Sequence, residues 1–332
     1  MTATTTPTRT PATRTPVTRT AETSTPTVGE RAARLSRAST RRIIEPDTDL
    51  PWGTLGSGQL VADELLTTAG LDLELSASQK VRLSREELAS MVTSGVRFEA
   101  GLIAGFAVQI STSDITDPRV AYMLHEMAEE TRHSRAFARL VTEIGDHAPN
   151  PLERGLPARL RKRISRVAME SPALLTVFVL AGEEIPDLLQ KIAAEHPDTD
   201  PLVAAVNRYH RTEEARHLAF ARMTLAEHWS QAGRLERWRV RHLAPRAIGA
   251  LVASLVHPGV YRSVGLPGFR TWRAVQRTPE RVAVRHAGSR AVLGTLLDAG
   301  VLEAGRIPRG WRSLCGVDRA GNPIGVDAPF PG

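Results

Sequence analysis

Four long segments of the chain carry apolar residues at the three- and four-residue spacing of an amphipathic α-helix. They cover roughly residues 84–112, 118–144, 172–195 and 201–232. The last three begin close to a proline, whose missing N–H is harmless in the first turn of a helix. No alternating strand pattern separates them, and the stretch DHAPNPLERGLP divides them into two pairs. The pattern therefore predicts an all-α fold built on a four-helix bundle.

The two ends of the chain differ from this helical centre. Residues 1–45 are rich in Thr, Pro and Arg and contain few large apolar residues, so a disordered tail is predicted there. Residues 46–310 are expected to form one domain, in which residues 242–305 add a C-terminal helical layer to the bundle. The Gly- and Pro-rich residues 311–332 are predicted to be irregular.

The net charge of +7 belongs mainly to the tail, since residues 1–42 contain eight arginines and two glutamates. The remaining 290 residues are almost neutral, and no nucleic-acid partner is expected. Cys315 is the single cysteine, so neither an intrachain disulfide nor a thiolate metal site can form, and a cytoplasmic location is predicted. No apolar run approaches the length of a membrane span, so none is expected.

Polar residues interrupt the apolar stripe of each predicted bundle helix. They are Glu99, Glu130, His133, Glu183 or Glu184, His210, Glu214 and His217. A carboxylate turned toward the interior of a bundle is costly unless a cation lies beside it. Arg132 and Arg216 are available for buried ion pairs. However, EETRH at 129–133 and EEARH at 213–217 place a Glu-x-x-His motif on two helices, as paired metal ions in a bundle require.

This set of residues resembles that of the ferritin-like di-iron carboxylate oxygenases. Within them it is most similar to the arylamine N-oxygenases typified by p-aminobenzoate N-oxygenase, because His210 in HRTEEARH adds a histidine one turn before the second Glu-x-x-His. The resemblance covers roughly residues 85–235. The ligands it implies are Glu99, Glu130, His133, Glu183, His210, Glu214 and His217.

The resemblance also implies a ferritin-like bundle and a set of cofactors and partners. The expected cofactors are two Fe ions, with Mn as the alternative metal, O2 as co-substrate and an external electron donor. The expected partners are a small-molecule arylamine, an electron-transfer protein and a second copy of the chain in a homodimer. The implied reaction is N-hydroxylation, extending in some cases to a nitroso or nitro product. The metals do the redox work, so no catalytic residue beyond the ligands is expected.

One ligand assignment has two candidates. The spacing to His210 favours Glu183, whereas the local apolar stripe lies closer in helical phase to Glu184. Glu183 is preferred because Gly182 and Pro186 can disturb the helical phase at this point.

Residues around the ligands have predicted roles as well. Glu129 and Glu213, each directly before a ligand glutamate, are expected to orient the histidines or to pair with arginines. The walls of a substrate pocket are expected to come from the C-terminal layer and from Ile103, Phe106 and Phe178.

Other protein classes account for the same pattern less well. A desaturase or hydroxylase acting on acyl-carrier-protein substrates uses a similar six-ligand site, and the basic residues 154–166 could dock such a carrier, although an exposed loop explains them as well. His210 argues against this class. A ribonucleotide reductase small subunit would be expected to carry a tyrosine where Phe137 stands. A ferritin-like iron store needs neither His210 nor the long C-terminal region.

Overall fold

The computed structural model describes residues 1–2, 26–41 and 43–324, and within them it contains thirteen α-helices, two short 3-10 helices and no β-strand. The helices are α1 (Val28–Arg41), α2 (Pro46–Asp49), α3 (Ala77–Ile110), α4 (Pro118–Ile144), α5 (Gly155–Met169), α6 (Pro172–Glu195), α7 (Pro201–Gln231), α8 (Arg234–His242), α9 (Ala244–Ser254), α10 (Pro258–Ser263), α11 (Gly268–Val275), α12 (Pro279–Asp298) and α13 (Arg309–Cys315). The predicted all-α class is confirmed.

Helices α3, α4, α6 and α7 form the bundle. Short connections turn α3 back along α4 and α6 back along α7, and the two pairs meet where α4 contacts α7 and α3 contacts α6. Local sequence fixes where these helices begin. Asp117 and Asp200 accept hydrogen bonds from the first turns of α4 and α7, and each precedes a proline. Helix α3 begins seven residues earlier than predicted, because Ser76 and Gln79 form a capping box.

The C-terminal layer covers one side of the bundle, as predicted, but it extends further along the chain. Helices α9 and α12 pack against α6, and α13 packs against α9 and α12. Trp311 is fully buried and donates a hydrogen bond to the Val240 carbonyl. The prediction of an irregular segment from residue 311 is therefore wrong for residues 311–315, which belong to α13 and whose apolar side chains complete this layer. Residues 325–332 lie outside the described part of the chain.

Helices α1 and α5 stand where the sequence predicts a disordered tail and an exposed loop. Helix α1 packs on α4 and α7 through the buried Ala32 and the partly buried Leu35, so the predicted disorder does not extend over Val28–Arg41. Residues 3–25, which make up most of the predicted tail, are outside the described residues. Helix α5 replaces the expected exposed loop and contacts α3 and α6.

Helix α3 is the one described helix that is long and apolar enough to cross a membrane by length and composition alone. Counting each of two bent helix pairs as one span would raise that number to three. In this fold α3 lies along α4 and carries the buried Glu99 on the face toward the bundle interior. Of its most apolar 18-residue window, 28% is buried within the described structure.

Candidate metal centre

The seven residues predicted as ligands come together at the centre of the bundle. Each is at most 3% exposed, and they come from all four bundle helices. The contributions are Glu99 from α3, Glu130 and His133 from α4, Glu183 from α6, and His210, Glu214 and His217 from α7. Their side chains form three overlapping groups in which the potential ligand atoms lie within 4.8 Å of one another.

The two Glu-x-x-His motifs face each other across α4 and α7. Glu130 places one carboxylate oxygen 3.2 Å from His133 Nδ1 and the other 3.1 Å from His217 Nδ1. Glu214 does the same, with its oxygens 3.3 Å from His133 Nδ1 and 3.1 Å from His217 Nδ1. Each carboxylate therefore reaches both imidazoles, which is the arrangement that a bridging ligand between two metal ions requires.

His210 extends the cluster toward α3 and α6. Its Nε2 lies 3.4 Å from Glu99 Oε1 and 3.3 Å from Glu214 Oε1, while Glu183 joins the same group. Burial lowers the pKa of His210 to about 4. Its imidazole is consequently neutral and keeps a lone pair for a metal ion.

The cluster contains four inner carboxylates and no lysine or arginine, so only its histidines can carry a positive charge there. Among the described residues, the buried atoms Glu99 Oε2 and Glu183 Oε1 have no hydrogen-bond partner. Glu130 Oε1 and Glu214 Oε1 have imidazole nitrogens within 3.3 Å but none in hydrogen-bonding geometry. Burial, followed by the charges of Glu214 and Glu130, raises the pKa of Glu183 well above its usual value. Two divalent ions would balance these four carboxylates, so the residues fit a di-metal centre.

The histidines are held by carboxylates from the opposite helix. His217 Nε2 lies 2.7 Å from Glu129 of α4, and His133 Nε2 lies 3.0 Å from Glu213 of α7. Both histidines thereby present Nδ1 to the cluster. Burial alone would raise the pKa of Glu129, but His217 and then Arg216 outweigh it and hold the pKa at about 2.

Two arginines complete this crosswise arrangement. Arg216 donates to Glu129 over 2.7 Å, and Arg132 donates to Glu213 over 3.0 Å. The arginines that could have neutralised the inner carboxylates are therefore used by Glu129 and Glu213. Both roles predicted for these two glutamates, orienting a histidine and pairing with an arginine, are present together.

Comparison with protein families agrees with this centre. A family model described as P-aminobenzoate N-oxygenase AurF matches residues 25–300, which is most of the chain. The chain belongs to this family. The match spans all four bundle helices and every residue of the buried Glu/His cluster. The protein is accordingly an AurF-family di-metal carboxylate protein.

Individual relatives are more distant. Uncharacterized proteins of Mycobacterium bovis and Mycobacterium tuberculosis are 29% identical over 241 residues, which cover 69% of this chain and 69% of theirs. Two solved structures of R2-like ligand-binding oxidase variants cover 82% of this AurF-family chain. One, with an aerobically reconstituted Mn/Fe cofactor, is 13% identical over 94% of its own chain, with a TM-score of 0.46. The other, reconstituted anaerobically, is 14% identical over 93% of its chain, with a TM-score of 0.47.

Two residues near the centre of this AurF-family protein are missing from the sequence-based set. Glu126 is fully buried one turn before Glu130, and burial raises its pKa to about 7. Its four-residue spacing from Glu130 is the signal that could have identified it. Gln190 accepts a hydrogen bond from His210 Nδ1 over 2.9 Å and so directs Nε2 toward the cluster. Glutamine is common on helix surfaces, and no spacing rule marks Gln190.

A cavity of about 190 Å³ lies against the His210 side of the AurF-family centre. Glu99, Glu183 and His210 line it, whereas the facing Glu-x-x-His pairs do not. Phe178 and helix α9 of the C-terminal layer contribute walls, as predicted. Ile103 and Phe106 do not line this cavity, because their part of α3 lies beyond it, and Phe106 is buried in the bundle core.

Replacing Glu129 with glutamine is expected to weaken metal binding by about 10- to 100-fold, because the group that orients His217 loses its charge. Glu213→Gln should have a similar effect through His133, since the two contacts are equivalent. Titration of the metal-free protein with Fe(II) under anaerobic conditions measures both. Glu143→Gln, on the outer side of α4, is the control and keeps an oxygen for the Gly53 N–H. Wild-type affinity in both variants would contradict the orienting role.

Proposed function

We propose that this protein is a non-haem di-iron oxygenase that uses O2 to oxygenate the nitrogen of a small-molecule amine. The observation that carries the proposal is the apolar cavity that meets the buried Glu/His centre at Glu99, Glu183 and His210. A centre that only stored iron would have no use for an apolar cavity beside its ligands. Membership of the p-aminobenzoate N-oxygenase family supports an amine as substrate.

Seven residues would hold the two iron ions in the proposed enzyme. They are Glu99, Glu130, His133, Glu183, His210, Glu214 and His217. Nitrogen and oxygen ligands without a thiolate suit iron, and manganese is the alternative metal. When bound, the iron pair supplies electrons to O2 and the site at which O2 reacts.

The chain's own residues would prepare this site in three ways. Glu130 and Glu214 lie between His133 and His217 and would set the separation of the two ions. Glu129 and Glu213 hold the two imidazoles with Nδ1 inward. Gln190 holds the third, that of His210, with Nε2 inward.

The cavity would position the amine and keep bulk water away from the reacting nitrogen. In the first oxygenation one oxygen atom of O2 enters the amine as a hydroxylamine, and the other leaves as water. This step consumes two electrons and two protons, which an external electron-transfer partner and solvent would supply. Repetition on the same nitrogen would give the nitroso and nitro products.

We further propose that the protein works as a cytoplasmic homodimer without a membrane span. Its single cysteine, Cys315, is buried, and burial raises the pKa of its thiol to about 12, so it is a poor candidate for disulfide formation.

Metal content and amine turnover together test the proposed function. Protein reconstituted with Fe(II) should contain about two irons per chain by mass spectrometry. With O2, a chemical reductant and a panel of arylamines, it should form hydroxylamines that carry one atom from 18O2. Absence of stoichiometric metal would show that the Glu/His cluster is a set of buried ion pairs and not a metal site. Metal-loaded protein that oxidises none of the amines would contradict the N-oxygenase assignment.

A second candidate rests on helix α5. Its exposed arginines, including Arg159, Arg163 and Arg166, form a basic surface that suits an acidic acyl carrier protein. On this alternative the enzyme would desaturate or hydroxylate a carrier-bound chain. Turnover of an acyl-carrier substrate, with loss on reversing the charge of these arginines, would favour it over amine oxygenation.

A further inference from the structure

The cavity beside the centre contains no basic side chain other than a candidate ligand. Its titratable lining residues are Glu99, Glu183 and His210, and no lysine or arginine lines it within the described residues. Both carboxylates belong to the proposed metal site. An anionic group in this space would find no cation apart from the metal ions themselves.

The few polar groups of the lining are mostly occupied. Ser94 and Ser254 donate their hydroxyl hydrogens to the carbonyls of Ser90 and Leu251 in their own helices. Gln190 accepts a hydrogen bond from His210 through its amide oxygen, and its amide N–H groups make no hydrogen bond to another described residue. Asn207 is the remaining neutral polar residue of the lining, and its side chain makes no hydrogen bond to any other described residue.

The size and walls of the cavity suit one aromatic ring. An engineered apolar cavity of about 150 Å³ is large enough to bind benzene, and this one measures about 190 Å³. Phe98, Phe137 and Phe178 surround the space and offer edge and face contacts to a ring. Phe98 lies directly against the backbone of Gly182, where a Cβ would overlap its ring.

We infer that the substrate is a neutral, single-ring aromatic amine without a carboxylate, and that the uncharged amides of Asn207 and Gln190 are the groups that the described lining offers to its substituent. This inference rests on the proposed amine N-oxygenation and specifies its substrate class. A carboxylate on the ring would lose its hydration in an apolar space and would gain no buried partner in return. The chain would thus differ in specificity from an enzyme for p-aminobenzoate, whose carboxylate is ionised at neutral pH.

Two compounds of almost equal shape test the inference: 4-nitroaniline, which is neutral, and 4-aminobenzoate, which is anionic. Isothermal titration calorimetry on the iron-loaded protein, without reductant so that no turnover occurs, measures both affinities. We expect 4-nitroaniline to bind at least tenfold more tightly. Equal or tighter binding of 4-aminobenzoate would overturn the inference, and so would failure of both compounds to bind.

A charge placed in the cavity wall shows where the ring binds. Leu251 lines the cavity and is 38% exposed, so Leu251→Arg can be accommodated and adds a cation. In this variant the ratio of the affinity for 4-nitroaniline to the affinity for 4-aminobenzoate should fall at least threefold. Leu243→Arg adds the same charge at an exposed position outside the cavity and should leave the preference unchanged. An unchanged preference in Leu251→Arg, or equal narrowing in both variants, would show that the ring binds elsewhere.

These measurements separate the substrate class from the reaction. If the iron-loaded enzyme converts an anionic arylamine to its hydroxylamine and rejects neutral ones, N-oxygenation stands and the inferred substrate class falls. If 4-nitroaniline binds in the cavity but no amine is oxygenated, the cavity's preference for neutral rings stands and the proposed function falls.

Discussion

Replacing Glu214 with glutamine is expected to reduce the metal content from about two ions per chain to one or fewer. Turnover should fall by more than about 100-fold, which is the upper end of the effect of removing a residue that only orients a ligand. The reason is the central position of this carboxylate. Its oxygens lie 3.3 Å from His133 Nδ1, 3.3 Å from His210 Nε2 and 3.1 Å from His217 Nδ1. No other carboxylate of the cluster is this close to all three imidazoles.

Glutamine keeps the shape of Glu214 but removes its charge, so the change acts on the ions rather than on the packing. Mass spectrometry of the reconstituted protein gives the metal content, and circular dichroism reports whether the helices are retained. Glu227→Gln is the matched control, since Glu227 lies on the same helix and pairs with Arg119 near the surface. Two ions per chain in Glu214→Gln would show that this carboxylate is not a ligand.

The bundle helices and most of the cluster could be predicted because both depend on one short-range periodicity. The spacing that places Val120, Met123 and Phe137 in the core also places Glu130 and His133 there. A polar residue on a buried face is costly unless it has a partner. The matching Glu-x-x-His motif on α7 indicated that the partner is a metal ion. Local signals of this kind do not depend on how distant parts of the chain meet.

The substrate cavity and helix α1 could not be predicted, because both depend on contacts between residues that are far apart in the sequence. The cavity wall combines Val61, Phe137 and Ile248, which are far apart in sequence and meet only after the C-terminal layer packs on α6. Helix α1 is mainly polar and depends on contact with α4 and α7. Its composition alone therefore indicates disorder.

The choice between Glu183 and Glu184 shows the limit of helical phase as a guide. Glu183 lies seven residues before Gln190 and so shares its side of α6, where both residues reach His210. Glu184 forms an ion pair with Arg222, and Asp187 one turn later pairs with Arg211. Apolar residues of α6 face the cavity as well as the hydrophobic core. Their spacing alone therefore does not show which of the two glutamates points toward the cluster.

Neighbouring substitutions on α6 are thus expected to behave very differently. Glu183→Gln should weaken binding of the ion on the His210 side by at least about 100-fold, more than the loss of an orienting residue. The metal content should fall to about one, because Glu130, His133, Glu214 and His217 remain to hold the other ion. Glu184→Gln removes only a partly exposed ion pair, and about two ions per chain should remain. The two variants need parallel Fe(II) reconstitution and metal analysis. A lower metal content in Glu184→Gln than in Glu183→Gln would reverse the assignment and would require α6 to turn by about 100° relative to the cluster.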